Sequence, residues 1–171
     1  MPDNVTSEVK IRRELAEAFI LEAKRILQKR LVSACLFGSA ARGSVDQSSG
    51  IDIPLILEDL PQGLISRNRT LKNIQETIRS SASARALTKI GQSTVISPIM
   101  FTPEEASKHP PIMLDIVDDG IILHDRDKFL EGILDDIRRR LKELGARKVK
   151  TQKGWYWILK PDAKLGEEVR I

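Results

Sequence analysis

The chain has one cysteine, two histidines and no long apolar run. A lone cysteine cannot close an internal disulfide, so a disulfide framework is excluded and a reducing, cytoplasmic setting is expected. Cys35 lies between Ala34 and Leu36. Burial in such a stretch raises a thiol's pKa, which argues against a catalytic thiolate. The longest apolar stretches, such as Ile51–Leu57, are too short to cross a bilayer, and the polar N-terminus lacks the apolar segment of a secretory signal. No membrane association is expected. His109 and His124 lack the spacing of a metal site and are expected to be structural or solvent-exposed. Internal repeats and low-complexity segments are also absent.

What is present is an ordinary globular composition. The chain's 171 residues are 41% hydrophobic and 30% charged, with 28 Lys and Arg against 24 Asp and Glu. That length suits one domain with at most a small appendage. A net charge of +4 fits an anionic ligand such as a nucleotide, and equally fits none.

Hydrophobic periodicity predicts an opening helix over Ser7–Arg30, with Ile11, Leu15, Phe19, Ile26 and Leu27 near one face and Ser7 as cap. Leu31–Phe37 reads as a buried strand and Gly38–Gly43 as a turn leading into a short helix. A polar loop, Ser44–Gly50, precedes a second strand, Ile51–Glu58. Pro54 inside that strand predicts an edge or a bulge. Leu64–Ile90 reads as a long, mostly helical stretch, and Thr94–Phe101 as a third strand. Thr102-Pro103-Glu104-Glu105 has the form of a helix start. A short helix at Pro111–Asp118 and a strand at Gly120–His124 follow. Asp127–Leu144 is an amphipathic helix stopped by Gly145, with Asp125 and Asp127 as candidate caps. The tail reads as one or two strands. Helices and strands alternate irregularly, which indicates an α/β (α+β) fold with a mixed β-sheet packed by helices.

The chemistry is concentrated in two short stretches. Leu36-Phe37-Gly38-Ser39-Ala40-Ala41-Arg42-Gly43 takes an apolar strand into a Gly-Ser turn. Gly38 allows a sharp turn and close approach of a phosphate. Ser39 offers a hydroxyl and a backbone N–H, Arg42 follows one helical turn later, and Gly43 ends the segment. Next comes Ser49-Gly50-Ile51-Asp52-Ile53. Positions 50 and 52 share a strand face, where two carboxylates could bridge a pair of divalent cations. Only Asp52 supplies one. Taken alone, the Gly-Ser dipeptide is as well explained by a turn without ligand, and Asp52 by a solvated charge at a strand end.

Together the two stretches resemble the DNA polymerase beta-like nucleotidyltransferase superfamily, in particular its minimal prokaryotic members. Their pattern is Gly-Ser-x-Ala-Arg-Gly, then Ser-Asp-x-Asp and an apolar strand. Gly38, Ser39, Ala41, Arg42, Gly43, Ser49 and Asp52 fall in matching places, and the order of elements is similar as far as His124. The resemblance implies a nucleotidyltransferase domain at 1–125, with the helix and strands of 126–171 packed on it as a C-terminal extension. It implies Mg²⁺ or Mn²⁺ as cofactor, ATP or another nucleoside triphosphate as substrate, and transfer of a nucleotidyl group, usually AMP, to a protein or RNA hydroxyl. Phosphates would sit at Gly38, Ser39, Arg42 and Gly43, with Asp52 as metal ligand and catalytic carboxylate. Some family members pair with a helical HEPN-type protein in toxin–antitoxin modules.

Two departures stand out. Gly50 occupies the place of the first metal-binding Asp. The strand expected to carry a third carboxylate, Thr94–Phe101, has no acidic residue; Ser93, Thr94 and Ser97 are its nearest polar groups. A hydroxyl is a poor ligand for a hard cation and a poor base at neutral pH. Impaired nucleotidyl transfer is therefore expected. The alternative is a non-catalytic nucleotide- or partner-binding module, such as an antitoxin acting by contact. A third option rests on Arg138, Arg139, Arg140, Lys142, Arg147, Lys148, Lys150 and Lys153 followed by Trp155-Tyr156-Trp157, a basic and aromatic run of the kind that holds RNA. The stronger reading of that run is a solvated helix face, with Trp155 and Trp157 covering the end of the core or a homodimer interface.

Overall fold

A computed structural model describes residues 6–151, 154–169 and 171. Its centre is a four-stranded mixed sheet made of β1 (Leu31–Leu36), β2 (Ile51–Leu57), β3 (Ile96–Phe101) and β4 (Ile121–Asp125), in the order β3-β2-β1-β4. β1 is antiparallel to both β2 and β4, whereas β2 and β3 are parallel. The period-two alternation of β2 divides its side chains between two cores. Ile51, Ile53, Leu55 and Leu57 join the core under α1 (Ser7–Leu27), and Ile56 joins the core on the opposite face.

The first face also holds three short helices, α3 (Leu64–Thr70), α4 (Lys72–Arg79) and α5 (Ala82–Lys89). The single helical stretch expected over Leu64–Ile90 is thus broken twice, at Leu71 and at Ser80-Ser81. Ser81 starts the last piece by accepting a hydrogen bond from the Ala84 N–H at 3.2 Å. Leu71, Ile74 and Ile78 form the buried stripe, as their spacing predicts. The second face holds α6 (Pro103–Ala106), α7 (Ile112–Asp119) and α8 (Phe129–Glu143). α6 begins with a full capping box between Thr102 and Glu105. Beyond α8 a hairpin, β5 (Arg147–Thr151) with β6 (Gly154–Ile158), closes the fold. No described helix is long and apolar enough to cross a membrane.

Three local expectations are corrected. Thr6 rather than Ser7 is the residue before α1, and it makes no side-chain cap bond; the Ser7 hydroxyl donates to Glu8 Oε2 at 3.3 Å instead. Asp127 does not cap α8: it lies in left-handed backbone at φ 53° before the helix. Asp125 does the capping, accepting from the N–H groups of Leu130 and Glu131 at 2.9 Å each. Pro54 lies in an interior strand rather than at an edge. Proline has no N–H to give to a ladder. The β1–β2 pairing is accordingly interrupted between Ala34↔Leu55 and the isolated bridge Phe37↔Asp52, the interval that contains Pro54.

α1 braces the loops beside β2 through two arginines. Arg12 is fully buried. Its guanidinium donates to the carbonyls of Asp46 (2.9 Å) and Ser49 (3.4 Å) and to Gln92 Oε1 (2.8 Å). Arg13 donates to the carbonyls of Ala40 and Ala41 at 3.2 and 2.7 Å. Burial lowers the pKa of Arg12, opposed by the charges of Asp46 and Glu8. Truncating Arg12 would remove the donor to the Ser49 carbonyl and Gln92 Oε1 and leave the Asp46 carbonyl only the Ser49 N–H. Arg12→Ala is therefore expected to lose roughly 2–4 kcal/mol of stability in urea unfolding, with the m value unchanged. A loss below about 0.5 kcal/mol would show that the brace is not structural.

Candidate functional site

The site forms where β1 turns into the next helix against the start of β2. The Phe37 N–H donates to the Asp52 carbonyl at 3.0 Å, so the chain crosses directly over Asp52 before turning. Gly38 takes a left-handed backbone, φ 76°, and a Cβ there would lie 2.5 Å from Asp52 Oδ2. Only glycine meets both conditions, since an L side chain is strained at that φ and would collide with the carboxylate. Helix α2 (Gly38–Arg42) follows as a single short turn. Gly43 closes it in the left-handed conformation, its N–H bonded to the Ser39 carbonyl.

Asp52 is half-buried on the β2 face opposite Ile51 and Ile53. Burial raises its carboxyl pKa above the ordinary range, and the positive charge of Arg42 partly opposes that shift. Its partner across the parallel ladder is Ser97, so the two side chains share one face. Gly50 precedes β2 by one residue, and the Ile51 N–H is held by the Val95 carbonyl at 2.9 Å. A Cβ at Gly50 would stand 3.4 Å from that carbonyl and 3.6 Å from Ser97 Oγ. There is room for a side chain at 50, and it would point toward the ground shared by Asp52 and Ser97.

The residues present do not fit a two-cation centre. Positions 50, 52 and 97 converge, yet they offer no side chain, one carboxylate and one hydroxyl. No group of three or more His, Cys, Asp or Glu among the described residues is arranged to hold a metal ion. The nearby Asp46 is committed elsewhere. It accepts from the Ser48 N–H and from the hydroxyls of Ser48 and Ser49, bonds that lower its pKa. Hard divalent cations need several oxygen ligands, and a single carboxylate leaves them mostly hydrated.

The comparisons with known proteins bear on this arrangement. No family model matches the chain. It is 27% identical over 148 residues, 85% of this chain and 94% of the relative, to the Methanocaldococcus jannaschii protein named "Putative protein adenylyltransferase MJ1305". The similarity to that adenylyltransferase-named protein runs through most of both chains. A second M. jannaschii relative, "Putative protein adenylyltransferase MJ0141", is 28% identical over 88 residues, 52% of this chain and 77% of its own. Looser likenesses among solved structures include a toxin–antitoxin crystal structure with AMP-PNP, with a TM-score of 0.46 and 20% identity over 75% of this chain and 92% of that one. Another is the tri-AMPylated Shewanella oneidensis HEPN toxin in complex with MNT antitoxin, with a TM-score of 0.44 and 18% identity over 78% and 92% of the two chains.

The side chain of Arg42 turns toward α7 and the C-terminal hairpin. It donates to Asp119 Oδ2 at 3.1 Å and lies 4.6 Å from the ring centre of Trp155. The acidic stripe of α7 is covered in the same way. Lys148 pairs with Asp118 at 2.8 Å, and the Trp155 indole N–H donates to Asp115 at 2.8 Å. Arg138, Arg139 and Arg140 pair along α8 with Asp135, Asp136 and Glu143, and Trp157 packs into the second core. Three of the eight basic residues in the run are thus balanced within their own helix and Lys148 by α7; Lys153 lies outside the described residues. The residues missed in the sequence are Arg12 and Arg13. Arg12 shares the inward spacing of Leu15, Ala16 and Phe19, and a charge at that spacing is the signal that marks a buried brace.

The raised pKa of Asp52 has a consequence for stability. A carboxyl that holds its proton more tightly in the folded than in the unfolded state makes its charge a cost to folding as pH rises above about 4. Asp52→Asn removes that charge. Its Tm is expected to exceed that of the parent at pH 7, with the gain shrinking toward zero as pH falls to about 4. An unchanged or lower Tm at pH 7 would contradict the burial cost. Gly38→Ala is expected to lose about 1–2 kcal/mol from backbone strain alone, with a further loss from displacing Asp52.

Proposed function

We propose that this chain binds a nucleoside triphosphate, most simply ATP, with its phosphates at the Gly38–Ser39 turn. We further infer that it transfers AMP to a protein hydroxyl far more slowly than a nucleotidyltransferase with a full set of carboxylates. The carrying observation is that positions 50, 52 and 97 converge beside the Gly38 turn and supply one carboxylate among them. Several features support nucleotide binding. Ser39 opens the short helix α2 beside Asp52, the Gly-Ser pattern matches that of the family it resembles, and the sequence relatives bear the name of protein adenylyltransferases. That name also favours a protein acceptor over RNA, as does the self-pairing of the basic helix.

The chain's own residues can do part of the work. Gly38 and Ser39 can position phosphates, and Asp52, held rigidly between the Phe37 bridge and β3, can accept a proton or contribute to one cation. Charge neutralisation at the transferred group is what is lost, and phosphoryl-group chemistry depends on it. Removing one such contribution lowers a rate by roughly 10²–10³-fold. The geometry leaves room to restore it at position 50, where a Cβ makes only ordinary contacts.

Transfer of labelled AMP from ATP to a purified helical protein of the HEPN type, the partner implied by the family resemblance, tests the reading. Gly50→Asp is expected to raise the rate about 10²-fold, and Gly50→Asp with Ser97→Asp more. Calorimetry on the parent chain should show ATP binding. Binding without any gain in either variant would sink the catalytic part. It would favour the second reading, an antitoxin that neutralises its partner by contact, which the donor deficit at 50 and 97 already suits.

A further inference from the structure

Just behind the Gly38–Ser39 turn lies an open cavity of about 410 Å³, lined by Arg42, Ser44, Asp119, Lys148, Lys150 and Trp155. Its near wall is continuous with the turn, because the Ser44 N–H bonds back to the Ser39 carbonyl at 3.0 Å and Arg42 ends α2. Its far wall is the inner face of the β5–β6 hairpin, where Lys150 stands across the ladder from Trp155.

We propose that this cavity is a metal-independent polyphosphate site, in which side-chain cations take the place of the metal that Asp52 alone cannot hold. It rests on the nucleotide reading above and specifies how that nucleotide's charge is met. Three cations and one carboxylate line the cavity. Arg42 engages Asp119, and Lys148 engages Asp118, through side chains that are only partly buried. Lys150 is exposed and has no ion-pair partner among the described residues. Arg and Lys donors bind phosphate oxygens by charge-assisted hydrogen bonds, and a polyphosphate presents several such oxygens to each cation. A triphosphate reaching from the turn into the cavity would exchange the single carboxylate on Arg42 for its own charge. Trp155, with Arg42 and Lys148 4.6 and 4.7 Å from its ring centre, reports on that exchange.

The test is calorimetry and tryptophan fluorescence with two probes, ATP and inorganic tripolyphosphate, each in EDTA and in Mg²⁺, on the full chain and on Lys150→Glu. Among the described residues that exposed lysine has no ion-pair partner to lose, so the variant is expected to keep the fold, which its far-UV circular dichroism and Tm check; Lys148→Ala is a second variant, expected to weaken both probes as well. Both probes are expected to bind in EDTA, with a change in fluorescence, and to bind at least tenfold more weakly to Lys150→Glu. ATP binding that requires Mg²⁺ and is unmoved by Lys150→Glu would overturn the polyphosphate site and leave the nucleotide reading intact. Binding of tripolyphosphate but not ATP would support the site and overturn the nucleotide reading. No binding of either probe under either condition would overturn both.

Discussion

The close approach of Gly38 to Asp52 is the constraint around which the rest of the site is arranged. A carboxylate oxygen fills the space where a side chain at position 38 would begin. The backbone can pass over it only in a left-handed turn, and that turn sends α2 away from the sheet toward α7. Once α2 has that direction, Arg42 reaches Asp119, and Trp155 of the hairpin can pack against Arg42. The C-terminal hairpin is therefore tied to the geometry of a single glycine more than a hundred residues earlier in the chain. α1 secures the same region from the other side, with Arg13 on the carbonyls of α2 and Arg12 on the loop that leads into β2.

This arrangement explains what could be read from the sequence. The sheet, its flanking helices and the pairing of a Gly-Ser turn with Asp52 depend on local patterns: alternation in β2, apolar stripes in α4 and α8, and glycines at fixed offsets. Those patterns survive without knowledge of the tertiary fold. The missing carboxylate at 50 is legible through the family pattern and the lack of acid in Thr94–Phe101 by composition, whereas the choice of Ser97 among Ser93, Thr94 and Ser97 comes only from the β2–β3 register. The missing N–H of Pro54 predicts an edge or a bulge, and neither lies there: the strand is interior, and the register shift of the β1–β2 pair falls at Leu31/Ser33. The sheet instead loosens the β1–β2 ladder at Pro54 and keeps the strand inside. Arg12, Arg42 and Lys148 could not be assigned from sequence, since their partners lie 34, 77 and 30 residues away along the chain. Arg12 alone carries a local sign of burial, its inward spacing with Leu15, Ala16 and Phe19; nothing local marks the partners of Arg42 and Lys148.

The same contrast explains the basic C-terminal run. By composition it looks like a nucleic-acid surface. In three dimensions its charges divide into two populations. Arg138, Arg139 and Arg140 find acidic neighbours three residues away on their own helix. Such exposed pairs contribute little to stability, but they remove the unbalanced field that would draw in RNA. Lys148 and Lys150 leave the helix on the hairpin and face the site beside α2. The relevant positive charge is therefore local and belongs to a small cavity rather than to a broad face.

A site stripped of two carboxylates would gain stability by losing the third. Asp52 is disfavoured by its burial, and the glycine that passes over it carries the entropy cost of an unrestrained unfolded chain. Natural proteins readily accumulate stabilising changes at positions whose function has lapsed. This chain has neutral residues at 50 and 97 but retains both Asp52 and Gly38, the two that are costly to hold and useless apart. Removing like charges from positions 50 and 97 also lowers the repulsion that Asp52 would otherwise feel in a half-buried setting. Gly38 and Asp52 therefore stand as one packed pair, a left-handed turn lying directly over a single half-buried carboxylate, and neither position can change without disturbing the other.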